Sequence, residues 1–128
     1  MRGTSFALLL ALALNVPAIA SPAWATGFLD AVEDMPLMEG LTETGEGGII
    51  FDKPTGRIVR TIATGAVTSA AVRSFYADTL PQLGWTRYPN LELIKDLMIF
   101  KREDERLHIQ TVSHFNGKTE VRFSIEPD

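Results

Sequence analysis

Residues 67–85, VTSAAVRSFYADTLPQLGW, decide the fold. Val72, Phe75, Tyr76, Leu80 and Leu83 recur at helical intervals and make one apolar stripe, while Arg73, Ser74, Asp78 and Gln82 face the other way. Thr68 or Ser69 can cap the start by accepting a free backbone N–H, Gly84 suits the left-handed turn that ends the helix, and Trp85 opens a strand. Burial of each stripe residue is worth roughly 1.5–3 kcal/mol before entropy. The expected core is Val72, Phe75, Tyr76, Leu80 and Trp85, with Phe75→Ala expected to cost about 3–5 kcal/mol.

The flanking sequence reads as strands. Ile49-Ile50-Phe51 is a short strand, and Asp52-Lys53-Pro54-Thr55-Gly56 has hairpin-turn chemistry. Residues 57–64 return, with Ile58 and Ile62 to one side and Arg57, Val59, Thr61 and Ala63 to the other. Beyond Gly84, strands are expected at 85–88, 97–102, 106–115 and 118–126, and residues 91–94 read as a continuation or an edge. A charged tip at 103–105 and a two-residue Asn116-Gly117 turn make the last two hairpins. Leu107 and Ile109 oppose His108 and Gln110, and Val121, Phe123 and Ile125 oppose Glu120, Arg122, Ser124 and Glu126, so one sheet face is covered and the other meets water. The expected class is α+β, one helix packed on a single antiparallel sheet in the order β-β-α-β-β-β. Upstream, residues 27–34 read as one or two helical turns, Met35–Leu41 as an extended apolar strap, and residues 42–48 as a polar loop. The strap can cover the domain's own core or bind another chain.

The N-terminus reads as a secretory signal peptide: Arg2, the apolar run Phe6–Leu14, a helix-breaking Pro17, and small-x-small sites ending at Ala20 and Ala25. The run is shorter than the ~20 residues a membrane-spanning helix needs, and no cysteine follows it for lipid attachment. The expected division is a leader at 1–25, with Ala20 the other cleavage site, and one domain at 26–128, periplasmic or secreted and without stable membrane insertion. Cleavage removes one charge, Arg2, and moves the net from −4 to −5. An acidic domain offers no electrostatic footprint for nucleic acid. The absence of cysteine excludes disulfides, thiol chemistry, iron–sulfur clusters and cysteine zinc sites.

The run Val72-x-x-Phe75-Tyr76-x-x-x-Leu80-Pro81-x-Leu83-Gly84-Trp85 resembles a pattern in small exported bacterial proteins of unknown function, in which a helix feeds an antiparallel sheet. The strap Met35-Pro36-Leu37-Met38-x-Gly40-Leu41 and the hairpin Asp52-x-Pro54-x-Gly56-Arg57-Ile58 resemble that group as well. The resemblance implies a bacterial envelope protein and carries no catalytic residues.

Catalytic motifs find no footing, for the chain holds no G-x-S-x-G, no H-E-x-x-H and no cysteine nucleophile. Residues Glu103-Asp104-Glu105 sit among Lys101, Arg102 and Arg106 as a solvated turn, and the glycines at 45–48 precede a strand rather than the helix a phosphate cradle needs. His108 and His114 share a strand face, yet six residues at ~3.3 Å each separate them by roughly 20 Å, too far for one metal. Met35 and Met38 could ligate a soft metal, but methionine more commonly fills gaps in a core. No cofactor is expected. The chain is read as a non-enzymatic interaction module for an envelope protein, with a small-ligand or metal-binding protein as the alternative. Its docking surface is expected on the open sheet face at Arg57, His108, Gln110, Arg122 and Ser124.

Overall fold

The helix α1 spans Ser69–Thr79, starting where the Thr68 hydroxyl oxygen accepts the Ala71 N–H at 3.1 Å. Pro81 has no N–H to extend the helical ladder, so residues Leu80–Leu83 tighten into a 3-10 turn. Gly84 closes it at φ 88°, and the Trp85 N–H returns to the Leu80 carbonyl at 3.1 Å. Val72, Tyr76, Leu80 and Trp85 are buried, whereas Phe75 and Leu83 are half-buried against the core. The computed structural model describes residues 3, 27–44 and 49–128. The rest of the expected leader, both its cleavage sites, and the glycine-rich loop at 45–48 lie outside the described residues.

The remaining elements are β1 (Gly27–Phe28), β2 (Pro36–Leu37), β3 (Thr42–Glu43), β4 (Ile49–Lys53) and β5 (Gly56–Gly65) before the helix, then β6 (Thr86–Arg87), β7 (Leu97–Arg102), β8 (Glu105–Ser113) and β9 (Thr119–Pro127) after it. The class is α+β, a single helix with an antiparallel sheet, but the order is not β-β-α-β-β-β. The main sheet runs β5-β9-β8-β7-β6, and β3 and β4 lie one after the other along the free edge of β5. The polar composition of Thr42-Glu43 concealed β3, which pairs with Ala63 and Thr64.

Three further expectations are corrected. Residues 27–34 do not form helical turns; β1 pairs with β2, and between them two consecutive tight turns bond Val32 N–H to Leu29 O and Met35 N–H to Val32 O. Such turns place every third side chain on one side, so Leu29, Val32 and Met35 mimic helical spacing in the sequence. Residues 91–94 are no strand, because Pro89–Leu91 makes a 3-10 turn and leaves Leu93 and Ile94 exposed. The last hairpin has a three-residue loop, Phe115-Asn116-Gly117, closed by His114 N–H to Lys118 O with Gly117 left-handed at φ 76°.

Register fixes the two faces. Val59, Thr61 and Ala63 lie opposite Ile125, Phe123 and Val121, which in turn flank Leu107, Ile109 and Thr111; Met98 and Phe100 complete this inner face on β7. One 11-residue helix cannot cover it alone. The N-terminal segment covers the remainder with Leu29, Val32, Met35 and Leu41, so the strap serves the chain's own core. Met35 and Met98 are both core residues, the gap-filling role. Tyr76 joins the layers: its hydroxyl donates to the Pro36 carbonyl at 2.9 Å, and its ring meets Phe123 edge-on at 5.4 Å. Burial pushes this phenol far above its ordinary pKa, against a weaker opposing pull from the Met38 backbone. Glu43 is a second fastener, its carboxylate accepting the Asp30 N–H at 2.5 Å and the Thr61 hydroxyl at 2.6 Å. A Cβ on Gly65 would collide with the Gly40 carbonyl, so β5 must carry glycine where the strap crosses it. Among the described residues no helix is long and apolar enough to cross a membrane.

Because Phe75 is half-buried, the 3–5 kcal/mol expected for its truncation transfers to Trp85, which is 1 % exposed and lies under Arg102 at 4.3 Å. Trp85→Ala should cost about 3–5 kcal/mol in urea unfolding, with Phe75→Ala clearly milder. Tyr76→Phe strands the Pro36 carbonyl and should cost about 1–3 kcal/mol. Glu43→Ala should speed hydrogen exchange at the Asp30 and Ala31 amides well before the sheet amides respond, because it unfastens the strap alone.

Candidate functional site

The outer face of the sheet carries a hollow of roughly 510 Å³. Its floor is two rows of side chains running across the strands. Arg60 on β5 lies opposite Ser124 on β9, which lies opposite His108 on β8. Two residues along, Ile62 is opposite Arg122, Arg122 opposite Gln110, and Gln110 opposite Leu97 on β7. Alternation on four adjacent strands therefore delivers seven outward side chains to one patch. Ile94 forms the remaining wall.

The loop carrying Ile94 is held in place by Glu92. Its carboxylate takes two hydrogen bonds from the Arg87 guanidinium, at 2.9 and 3.0 Å, and one from the Ile99 N–H at 3.1 Å. Burial pushes the Glu92 carboxyl up, but the Arg87 hydrogen bonds, the Ile99 N–H and the Arg87 and Arg73 charges together outweigh it, leaving the pKa below the ordinary range. Asp96, left-handed at φ 61°, then passes its carbonyl to the Thr111 N–H at 3.0 Å and joins the loop to β8.

Four of the five expected docking residues, His108, Gln110, Arg122 and Ser124, meet in this hollow. Arg57 does not. It shares the inner face with Val59 and is bound by Glu105 at 2.8 and 3.2 Å, which raises its pKa further. There it borders a separate, acidic depression with Asp30, Glu33, Asp34 and Asp52. Arg60, Ile62, Leu97 and Ile94 were not anticipated. The parity of β5 could have supplied the first two, since Arg57 is out of step with Arg60 and Ile62. The position of Ile94 depends on the Glu92 anchor, for which the sequence gives no signal.

The polar groups of the hollow are sparsely used. Arg60, Ser124 and Gln110 make no side-chain hydrogen bond or ion pair to any described residue. The His108 Nε2 is closed off from water without a hydrogen bond, 3.7 Å from a Glu126 oxygen. Arg122 gives its Nε–H to Glu120 at 2.5 Å and keeps its terminal amino groups free of described partners. That contact, with help from His114 at 3.3 Å, holds the Glu120 carboxyl below its ordinary pKa against a burial effect in the other direction. His114 thus pairs with Glu120 beyond the end of β8 and stands apart from His108. Among the described residues no group of three or more His, Asp or Glu side chains is gathered to hold a metal ion. The chain matches no protein-family model, no curated protein and no solved structure.

Glu92, Glu120 and Asp128, the last held down chiefly by hydrogen bonds from Lys101 and Arg106, all have carboxyl pKa values below their unfolded ones. A depressed carboxyl stabilises the fold fully above its unfolded value, 4.5 for the two glutamates, and loses that contribution as pH falls through the folded value. The melting temperature should therefore drop as pH is lowered below 4.5, and Glu92→Gln should flatten that slope while lowering stability at pH 7.

Proposed function

We propose that the chain is an exported, non-enzymatic binding module of the bacterial envelope, with a mature domain at 26–128, and that its open sheet face holds a small molecule. The hollow carries the reading. Its volume of roughly 510 Å³ falls within the range of small-ligand sites, ~300–1,000 Å³. It pairs an apolar wall at Ile62, Leu97 and Ile94 with polar groups that lack partners among the described residues. Sites of this make-up orient a ligand through a few polar contacts and retain it by apolar burial. The signal-peptide layout of residues 1–25 and the resemblance to small exported bacterial proteins support the envelope location. The lack of catalytic motifs in the sequence supports binding over turnover.

A second reading has its own observation. Strand β4 pairs only with β5 among the described strands, and its Ile50 and Phe51 are 55 % and 58 % exposed. An edge of that kind accepts an extended segment of a protein partner by strand addition.

A thermal-shift screen of protein expressed from the full chain against metabolites, lipids and sugars should find a ligand that raises stability. The gain is ~2.7 kcal/mol at a hundredfold excess over the dissociation constant. Ile62→Trp, which fills the hollow from a half-buried position on its floor, should abolish that shift and leave the unliganded melting temperature within a few degrees of the parent. If instead Ile50→Lys/Phe51→Lys removes an envelope partner while the screen stays flat, strand addition replaces ligand binding as the function. Mass spectrometry of the exported protein should show a first residue of Thr26 or Ser21.

A further inference from the structure

We infer that the hollow on the outer sheet face selects amphipathic organic anions, a single acidic head on an apolar body; this rests on the small-molecule reading above. The chain as a whole is acidic, with 16 Asp and Glu against 12 Lys and Arg. The hollow reverses that balance: Arg60, Arg122 and His108 line it, and no described carboxylate does. The nearest acids on this face stand outside the hollow and already face cations or histidines. Glu120 is bound to Arg122 and His114, and Asp128 to Lys101 and Arg106, while Glu126 lies 3.7 Å from His108. Arg60 is left without an acidic partner among the described residues.

Register places the head. Ser124 lies directly opposite Arg60 and two residues from Arg122 on the same face of β9, so one hydroxyl neighbours two arginine positions. Neighbouring strands are about 4.8 Å apart, within easy reach of an arginine side chain. A carboxylate above Ser124 can accept its hydroxyl proton and forked N–H pairs from either arginine, contacts stronger than neutral hydrogen bonds. A negative charge there also relieves the repulsion between the diagonal arginines. The apolar wall at Leu97 and Ile94 stands two strand spacings from Ser124, about 10 Å away, with Gln110 between them. That distance suits a body of medium length lying across β8. A small inorganic anion would leave the wall unused, and a neutral amphiphile would leave Arg60 without a counter-charge among the described residues.

The test is a ¹⁵N NMR titration of protein expressed from the full chain with octanoate, octanol, octylamine, octyl phosphate and acetate. Octanoate should shift the amides of residues 60–62, 108–110 and 122–124 and bind at least about tenfold tighter than octanol, octylamine or acetate. Arg60→Gln and Arg122→Gln should each weaken octanoate about tenfold and leave octanol unchanged. Arg60 is exposed and unpaired, so its substitution should not move the melting temperature. Octyl phosphate binding as tightly as octanoate identifies the head as any tetrahedral or planar acid, including that of a phospholipid; weaker binding restricts it to carboxylates. Octanol or octylamine matching octanoate in the same amides overturns the anion preference and leaves the ligand site standing. Acetate matching octanoate overturns the amphipathic requirement. No shift in these amides with any compound overturns both the inference and the site.

Discussion

The hydrogen bond from the Tyr76 hydroxyl to the Pro36 carbonyl ties together three things that must coincide for this sheet to be buried on one side. The helix contributes the phenol, the N-terminal segment the carbonyl, and the sheet the Phe123 ring beneath. An 11-residue helix cannot by itself cover a five-stranded inner face. Residues 29–41 fold back as a second cover in place of another helix. Apolar burial supplies the attraction, but it is indifferent to direction. Tyr76 and Glu43 give the cover its register, each joining a polar group of the strap or its turn to a fixed point on the packed domain.

Committing the strap and helix to one face leaves the other uncovered. At the centre of the inner face, Val59 to Ala63, Leu107 to Thr111 and Val121 to Ile125 present apolar residues and threonine and are closed, with the Arg57–Glu105 pair at the edge. Outer-face positions mix isoleucine, arginine, histidine, glutamine and serine without a consistent salt-bridge pattern. Exposed sheet faces usually show charge pairs or short polar residues that satisfy one another. Here pairs form at Arg106–Asp128 and Arg122–Glu120, while Arg60, Gln110 and Ser124 have no described side-chain partner.

Much of this was legible from the residues. The caps at Thr68 and Gly84, the alternation of β8 and β9, and four residues of the hollow follow from periodicity alone. Legibility failed where two geometries share one spacing. Leu29, Val32 and Met35 recur every three residues, and a helix or successive tight turns can both produce that interval. It failed too on β5, where isoleucine and valine occupy both faces and hydropathy cannot name the inner one. Only pairing with β9 does so, and it places Arg57 inside and Arg60 outside. Long-range anchors such as Glu92 on Ile99 leave no local trace.

Strand β9 lies between β5 and β8, although it comes later in the chain than every strand it joins. Until it emerges, β5 and the β7–β8 hairpin have no shared neighbour, and the inner face is split into two halves with nothing to close between them. A stable core therefore cannot assemble before β9 has joined the sheet. A polypeptide wired in this way closes its core in one late step, when a single strand zips two preformed pieces together.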